Sequence, residues 1–157
     1  MVKQVVGKPD DELQRLLAEL QLGEFIYEQP AFPDIEYTFK HSLTQEVAYG
    51  SVLVERRKLL HERAGQALES MYADQLDDNL GELAHHYARS NNVAKAAEYL
   101  RRAGELAMKR SGSTAEAIAQ LSAALDLVKS MPSSPEREQG ETNLRMTLRA
   151  LLLYDDE

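Results

Sequence analysis

The chain has 157 residues, of which 43% are hydrophobic, and its 18 basic and 26 acidic side chains give a net charge of −8. This acidic balance argues against general binding to nucleic acid or to an anionic membrane, because both need a basic face. The absence of cysteine excludes disulfides and thiolate metal sites. No apolar run approaches the roughly 20 residues of a membrane span, and no signal-peptide core is present. The composition predicts a cytoplasmic protein of one domain or two small ones.

The first 40 residues predict one helix and then one β-hairpin. Pro9 and the aspartates after it are typical of a helix start, and the helix is expected to end at Gly23. The expected apolar face of this helix consists of Leu13, Leu16, Leu17 and Leu20. Strands are predicted over residues 25–29 and 35–40, because both stretches are rich in strand-forming residues. The second strand should bury one face, Ile35, Tyr37 and Phe39, and the chain should break between the strands at Pro30, Pro33 and Asp34.

Residues 42–72 predict two further helices. Ser42 with Gln45 has the spacing of a capping box, so a helix should begin there. Its expected apolar side is Leu43, Val47 and Ala48. Residues 49–51 should kink or break the helix, and a long helix should follow over about residues 52–72. The apolar stripe predicted for that helix is Leu53, Leu60, Ala64, Leu68 and Met71.

Residues 80–103 have the pattern of a helical hairpin with alternating large and small positions. The first helix carries Leu80, Leu83, Ala84 and Tyr87, and the second carries Ala96, Leu100 and Ala103. This order of large, small and aromatic residues resembles one tetratricopeptide unit. Since small residues let two backbones approach closely, we expect the two helices to pack tightly and to stack on neighbours.

The pattern then continues to the end of the chain. The second hairpin helix should run over about residues 94–110 and serve two neighbours, with Gly112 ending it and Ser113 capping the next helix. That helix repeats the small–large–small positions at Ala117, Leu121 and Ala124. A last helix should begin at Pro135. Its leucines, Leu144, Leu148, Leu151 and Leu152, have no following helix, so an exposed stripe and a homodimer through it are expected.

Helix, hairpin and helix form the second half of a winged helix, which normally has further helices before the hairpin. The predicted organisation is therefore mainly α: a partial winged-helix segment with one β-hairpin over residues 1–75, then a tetratricopeptide-like α-solenoid over residues 76–157. We interpret the chain as a piece of a longer parent protein, truncated at its C-terminus.

Three runs carry a family resemblance: residues 37–49, residues 56–61 and residues 83–87. They resemble the winged-helix and repeat segments of large bacterial signalling ATPases of the STAND class. Relatives of this kind often join a class III adenylate or guanylate cyclase domain to an ATPase domain and to tetratricopeptide repeats. The sequence contains no phosphate-binding G-x-x-x-x-G-K-[ST] loop, so ATP or ADP is expected only in the parent protein.

His41, in Lys40-His41-Ser42-Leu43, resembles the histidine of the Met-His-Asp motif in related nucleotide switches. The resemblance implies that His41 reaches the phosphates of ADP bound to the absent ATPase domain. An imidazole at a strand end can donate to a phosphate oxygen, and Lys40 would add charge. The alternative is a histidine that bonds only to the local backbone.

The other histidines do not predict a metal site. His85 and His86 are adjacent on a helix and point about 100° apart, so we interpret them as surface or packing residues, and His61 as a packing residue. No pattern of catalytic residues occurs, so the chain itself is not expected to be an enzyme.

Two functions remain open from the sequence. The first is a regulatory and protein-interaction module of a multidomain signalling ATPase, in which the repeats bind a protein partner and the winged-helix segment contacts its own ATPase domain. The alternative is a DNA-binding fragment of a transcriptional regulator that uses the basic run of residues 56–58.

Overall fold

The computed structural model describes residues 1–31 and 35–155. Within these ranges the protein is mainly helical, with one two-stranded antiparallel hairpin. The elements are α1 (Val2–Val6), α2 (Asp10–Leu22), β1 (Ile26–Pro30), β2 (Ile35–Phe39), α3 (Ser42–Ser51), α4 (Val54–Met71), a 3₁₀ turn (Leu76–Asp78), α5 (Leu80–Ala88), α6 (Val93–Ser111), α7 (Thr114–Ser130) and α8 (Pro135–Asp155). None of the described helices combines the length and apolarity that a bilayer crossing needs.

The chain divides into two compact units, Met1–Arg57 and Lys58–Glu157, which we call the N-terminal unit and the helical unit. The division falls within α4, whereas the sequence placed the domain boundary after residue 75. The reason is that the second half of α4 buries small residues and Leu68 in the core of the helical unit.

The N-terminal unit has a small core. Leu13 and Leu17 of α2 pack with Ile26 of β1, and Tyr37 of β2 packs against them. The predicted apolar face of α2 is therefore confirmed for Leu13 and Leu17, whereas Leu20 is exposed. A short helix that the sequence analysis missed, α1, precedes α2 and ends at Gly7, whose φ of 68° is left-handed. Units of about 60 residues are marginally stable because they bury only about 60% of the surface that the unfolded chain exposes.

The predicted alternation along β2 is wrong in part. The strands pair antiparallel from Ile26 opposite Phe39 to Pro30 opposite Ile35. However, Ile35 is 55% exposed and Phe39 is 37% exposed, and only Tyr37 packs against the core. A core of this size covers the middle of β2 and leaves its ends exposed. The expected chain break at Pro33 and Asp34 lies outside the described residues.

The predicted break between the two helices exists but lies farther along the chain: residues 49–51 belong to α3, which ends at Ser51, and α4 begins at Val54. Leu53 therefore lies between the helices and is 80% exposed, so its place in the apolar stripe was wrong. Ala64 and Leu68, farther along the stripe, are buried.

The helical unit has two cores, one on each side of α6. The first lies where α6 meets α4 and α5 and contains Leu68, Leu80, Leu83, Ala84, Tyr87, Ala96 and Tyr99. The second lies where α6 meets α7 and α8 and contains Ala97, Leu121, Ala124, Leu125, Val128, Leu144 and Leu148. A Cβ added at Gly104 of α6 would lie 2.9 Å from the Leu121 side chain, so α6 and α7 approach closely. The prediction that the 94–110 helix serves two neighbours is confirmed.

Most residues of the tetratricopeptide-like pattern are buried. The buried members are Leu80, Leu83, Ala84, Tyr87, Ala96, Ala117, Leu121 and Ala124. Leu100 and Ala103 are half-buried and pack against the first core. Burial shows which positions pack; the assignment to a tetratricopeptide solenoid stays a prediction.

The last helix has a partner, contrary to the expectation of an exposed leucine stripe. Leu144 and Leu148 are buried in the second core, and Leu151 packs against its edge. Only Leu152 of the four predicted leucines is exposed. α8 packs on α7, so most of the stripe is covered within the chain. A homodimer through this helix stays a prediction.

Several helix ends follow the sequence. Gly112 ends α6 with a φ of 63°, and the Ser113 side chain accepts a hydrogen bond from the Glu116 N–H at the start of α7. Pro135 is the first residue of α8, as predicted. Each of these ends is satisfied by a local residue, so the limits of α6, α7 and α8 depend little on distant contacts.

We predict that Gly65→Ala destabilises the protein by about 1–3 kcal/mol, the usual cost of overpacking. A Cβ at Gly65 would lie 2.8 Å from the Tyr87 ring, which is fully buried and has no room to move. Urea unfolding measures the effect. Gly81→Ala in α5 is the matched control, since a Cβ there meets nothing within 4 Å. Equal stability of the two variants would contradict the close approach of α4 and α5.

Candidate interaction surface and polar clusters

An exposed apolar segment, residues 43–54, is the most unusual surface of the N-terminal unit. No residue of α3 is buried. Leu43 is 68% exposed, Val47 is 64% exposed and Val54 is 54% exposed. The sequence correctly put Leu43 and Val47 on one side of the helix, since they are four residues apart, but no described element covers that side. Clustered exposed apolar side chains of this kind are typical of an interaction site.

Basic side chains follow the exposed apolar segment at the start of α4. The Arg57 guanidinium lies 4.9 Å from the centre of the Tyr49 ring, a cation–π contact within the N-terminal unit. Arg56 is exposed. A partner for this surface would therefore combine an apolar patch with acidic groups at its edge.

His41 lies at the N-cap of α3, in an extended conformation and exposed to solvent. Its side chain makes no capping hydrogen bond, and the capping box predicted for Ser42 and Gln45 is not formed. The helix begins at Ser42 itself, so the backbone carbonyl of His41 accepts from the Gln45 N–H instead. Lys40 forms an ion pair with Glu24, with 3.0 Å between Nζ and Oε2. The His41 side chain is thus open to solvent and does not cap α3.

A polar cluster that sequence reasoning missed joins α4, α5 and α6. Lys95 Nζ lies 2.7 and 2.8 Å from the two carboxylate oxygens of Glu69 and 3.2 Å from the Tyr87 hydroxyl. The Tyr99 hydroxyl donates to Glu69, and the rings of Tyr87 and Tyr99 stack with 5.8 Å between their centres. We call these four residues the Glu69 cluster. Since Glu69 and Tyr99 are 30 residues apart, no local sequence signal announces their contact.

Burial and hydrogen bonding act in opposite directions on Glu69. Burial by itself would raise the pKa of this carboxyl, but the hydrogen bonds from Lys95 and Tyr99 outweigh burial and hold its pKa below the usual value. Burial and the bond to Glu69 raise the pKa of the Tyr99 hydroxyl. The cluster therefore keeps a charged carboxylate in place between three helices at neutral pH.

We predict that Glu69→Gln lowers stability at neutral pH and reduces its dependence on acid. A carboxyl whose pKa is depressed by folding contributes stability above about pH 4.3, its unfolded value, and loses that contribution as the pH falls through its folded pKa. Thermal unfolding between neutral and acidic pH measures the effect. Glu46→Gln, at an exposed position of α3, is the control and should change neither quantity. Identical acid dependence of Glu69→Gln and the unmodified protein would contradict the role of the carboxylate.

Three of the four histidines converge where α4 meets α5. The Nδ1 atoms of His61 and His86 are 3.0 Å apart. The His85 ring lies 6.2 Å from that of His61 and 5.4 Å from that of His86, centre to centre. We call these residues the histidine cluster; the sequence analysis treated them separately. Among the described residues, no three histidine or carboxylate side chains are placed to hold one metal ion.

A groove between α6, the end of α7 and α8 offers a second surface. Its apolar part includes Ala97, Val128 and Leu144. Arg101 and Arg137 lie at its edge, and Arg137 donates from Nε to the Val128 carbonyl at 3.2 Å. An apolar floor with charged edges suits a peptide or helix of a protein partner better than it suits a small polar ligand.

Comparisons with known proteins place the chain in no characterised group. No family model and no solved structure matches it. An uncharacterized protein of Rhizobium meliloti (strain 1021) is 34% identical over 102 residues. That match covers 65% of this chain and 10% of the relative, so the chain spans about a tenth of the length of the curated relative it matches.

Proposed function

We propose that the chain is a regulatory and protein-interaction module of a larger cytoplasmic signalling ATPase of the STAND class, of the kind that carries an adenylate or guanylate cyclase domain. In this proposal the N-terminal unit contributes to a winged helix that closes on the ATPase domain, and α5–α8 act as tetratricopeptide-like repeats. The single observation that carries the proposal is the exposed apolar segment, residues 43–54.

Covering this segment would supply the free energy for a domain contact. Burying a side chain such as Leu43 or Val47 is worth roughly 1.5–3 kcal/mol relative to leaving it exposed. The small core of the N-terminal unit gives a further reason to expect a domain packed on α3. Among the described residues of this unit, the buried hydrophobic ones are only Leu13, Leu17 and Ile26. A neighbouring domain that packs on α3 would stabilise both the contact and the unit.

The arrangement of α5–α8 supports the repeat part of the proposal. Each of these helices packs on the next along the chain, and small residues such as Ala96 and Ala124 are fully buried where helices meet. This nearest-neighbour packing is typical of solenoid repeats. The groove between α6 and α8 would receive the protein partner.

Nucleotide chemistry belongs to the parent protein in this proposal. The Rhizobium meliloti relative is about ten times as long as the segment it shares with this chain, which is the size expected of a multidomain protein. ATP or ADP would bind the ATPase domain, and His41, exposed at the start of α3, would reach its phosphates. The module itself would have no enzymatic activity.

DNA binding by residues 56–58 is the second candidate, favoured by the exposed Arg56 at the first turn of α4. The net charge of −8 and the contact of Arg57 with Tyr49 weigh against it. Binding to a random DNA duplex at low salt separates the two functions. Retention of duplex that weakens with salt, and that Arg56→Glu abolishes, would favour the DNA-binding fragment.

The docking role of the exposed apolar segment is tested with Leu43→Asp and Val47→Asp together. In the full-length parent this double variant should weaken the closed state about 10²- to 10⁴-fold, because two apolar contacts worth roughly 1.5–3 kcal/mol each are lost. Hydrogen exchange of residues 43–54 should be slow in the unmodified parent and fast in the variant. In the isolated chain the stability should change by less than about 0.5 kcal/mol, since both positions are exposed.

Leu22→Asp is the matched control for that experiment. Leu22 is 85% exposed and lies outside the segment, so this variant should keep the slow exchange of residues 43–54. Fast exchange of residues 43–54 in the unmodified parent would overturn the docking role.

We predict that His41→Ala speeds ADP release from the full-length parent about ten- to a hundred-fold. A charge-assisted hydrogen bond to a phosphate is worth roughly 1.5–3 kcal/mol, which sets that range. The isolated chain should keep its stability, because the His41 side chain makes no capping bond there. An unchanged ADP release rate, together with a destabilised isolated chain, would show that His41 only supports the local backbone.

A further inference from the structure

The contact between His61 and His86 joins two helices through a single pair of ring nitrogens. His61 belongs to α4, His86 belongs to α5, and their Nδ1 atoms are 3.0 Å apart. Their ring centres are 5.2 Å apart with 47° between the planes, so the contact is a hydrogen bond between ring edges and not a stack. The two residues are 25 positions apart in the chain, so this bond contributes directly to the tertiary packing of α4 on α5.

An Nδ1-to-Nδ1 hydrogen bond depends on the protonation of both rings. One Nδ1 must carry a proton and donate, and the other must be bare and accept. The bond can form while at least one of the two rings is neutral. When both rings are cationic, both Nδ1 atoms carry protons, the bond is lost, and two positive charges face each other at short distance.

The groups around the pair make the doubly protonated state still less favourable. On α5, Arg89 places Nη1 3.0 Å from His85 Nδ1, so a permanent cation lies beside the histidine cluster. Glu82, also on α5, acts in the opposite direction on His85. On α4, the charged residues nearest His61 along the chain are Lys58, Glu62 and Arg63, two cations and one anion.

We propose that the His61–His86 contact is a proton-operated latch between α4 and α5, closed while one of the two rings is neutral and opened when both become protonated. The latch would loosen α4 from the first core of the helical unit as the surroundings turn acidic. Its function would be regulatory, since it would make the packing of the helical unit respond to pH near the physiological range.

The direction of the pH effect follows from the environment of His86. Burial, and then the neighbouring His85 and Arg89, hold the pKa of His86 below its usual value, and burial likewise lowers that of His85. Because the unfolded chain then binds more protons than the folded one below about pH 6.5, the stability from the latch is present above that pH. This stability is lost as the pH falls through the folded pKa.

Thermal unfolding of the whole chain at about pH 7.5 and about pH 5.5 tests the latch, because this interval brackets histidine titration. The unmodified protein should lose several degrees more than His86→Gln over this interval. The double variant should show the same reduced loss as His86→Gln, whereas His61→Gln should show an intermediate loss, because burial, His85 and Arg89 still lower the pKa of His86 when the pair is removed. His41→Ala is the matched control: it removes an exposed histidine from outside the cluster and should keep the full loss.

Nuclear magnetic resonance titration of the histidine rings keeps the test decisive if a variant fails to fold. In the unmodified protein, the His61 and His86 rings should titrate in two linked steps, with the second step well below the usual histidine pKa. Independent titration of the two rings near about pH 6.5, or an equal pH dependence of stability in His86→Gln and the unmodified protein, would overturn the latch.

Discussion

The close approach of the Tyr87 ring to the backbone of Gly65 is the constraint on which the helical unit depends. Only a residue without a side chain leaves room for this ring, and the ring in turn carries its hydroxyl to Lys95 and stacks on Tyr99. The same spacing of α4 and α5 brings His61 within hydrogen-bond distance of His86. One steric fit therefore fixes both an apolar core and two polar clusters.

The helical unit has one core on each side of α6, so the stability of each core depends on a few helices and not on the whole unit. Each core joins helices that are neighbours along the chain, and small residues such as Gly104 allow α6 and α7 to approach closely. A unit built in this way can lose the packing of one helix without losing all of it.

The N-terminal unit buries few apolar side chains and exposes several others. Its core is small, while Leu43, Val47 and Leu53 are exposed. Exposure of these apolar side chains to water is unfavourable in free energy, and docking on another domain would remove that unfavourable contribution. This imbalance is the observation that supports the proposed contact with an ATPase domain.

The sequence by itself predicted the hairpin, the described α-helices other than α1 and most of the buried positions, because helical period and end signals such as Gly112 and Pro135 act over a few residues. Only the tertiary structure decided which apolar faces are buried against another element. In the tertiary structure Leu144 and Leu148 are buried, whereas no residue of α3 is buried. The burial of an apolar face depends on which other elements pack against it, and local sequence patterns do not specify those elements. It likewise assembled the Glu69 and histidine clusters, because the contacts of Glu69 with Tyr99 and of His61 with His86 join residues 30 and 25 positions apart and leave no periodic trace in the sequence.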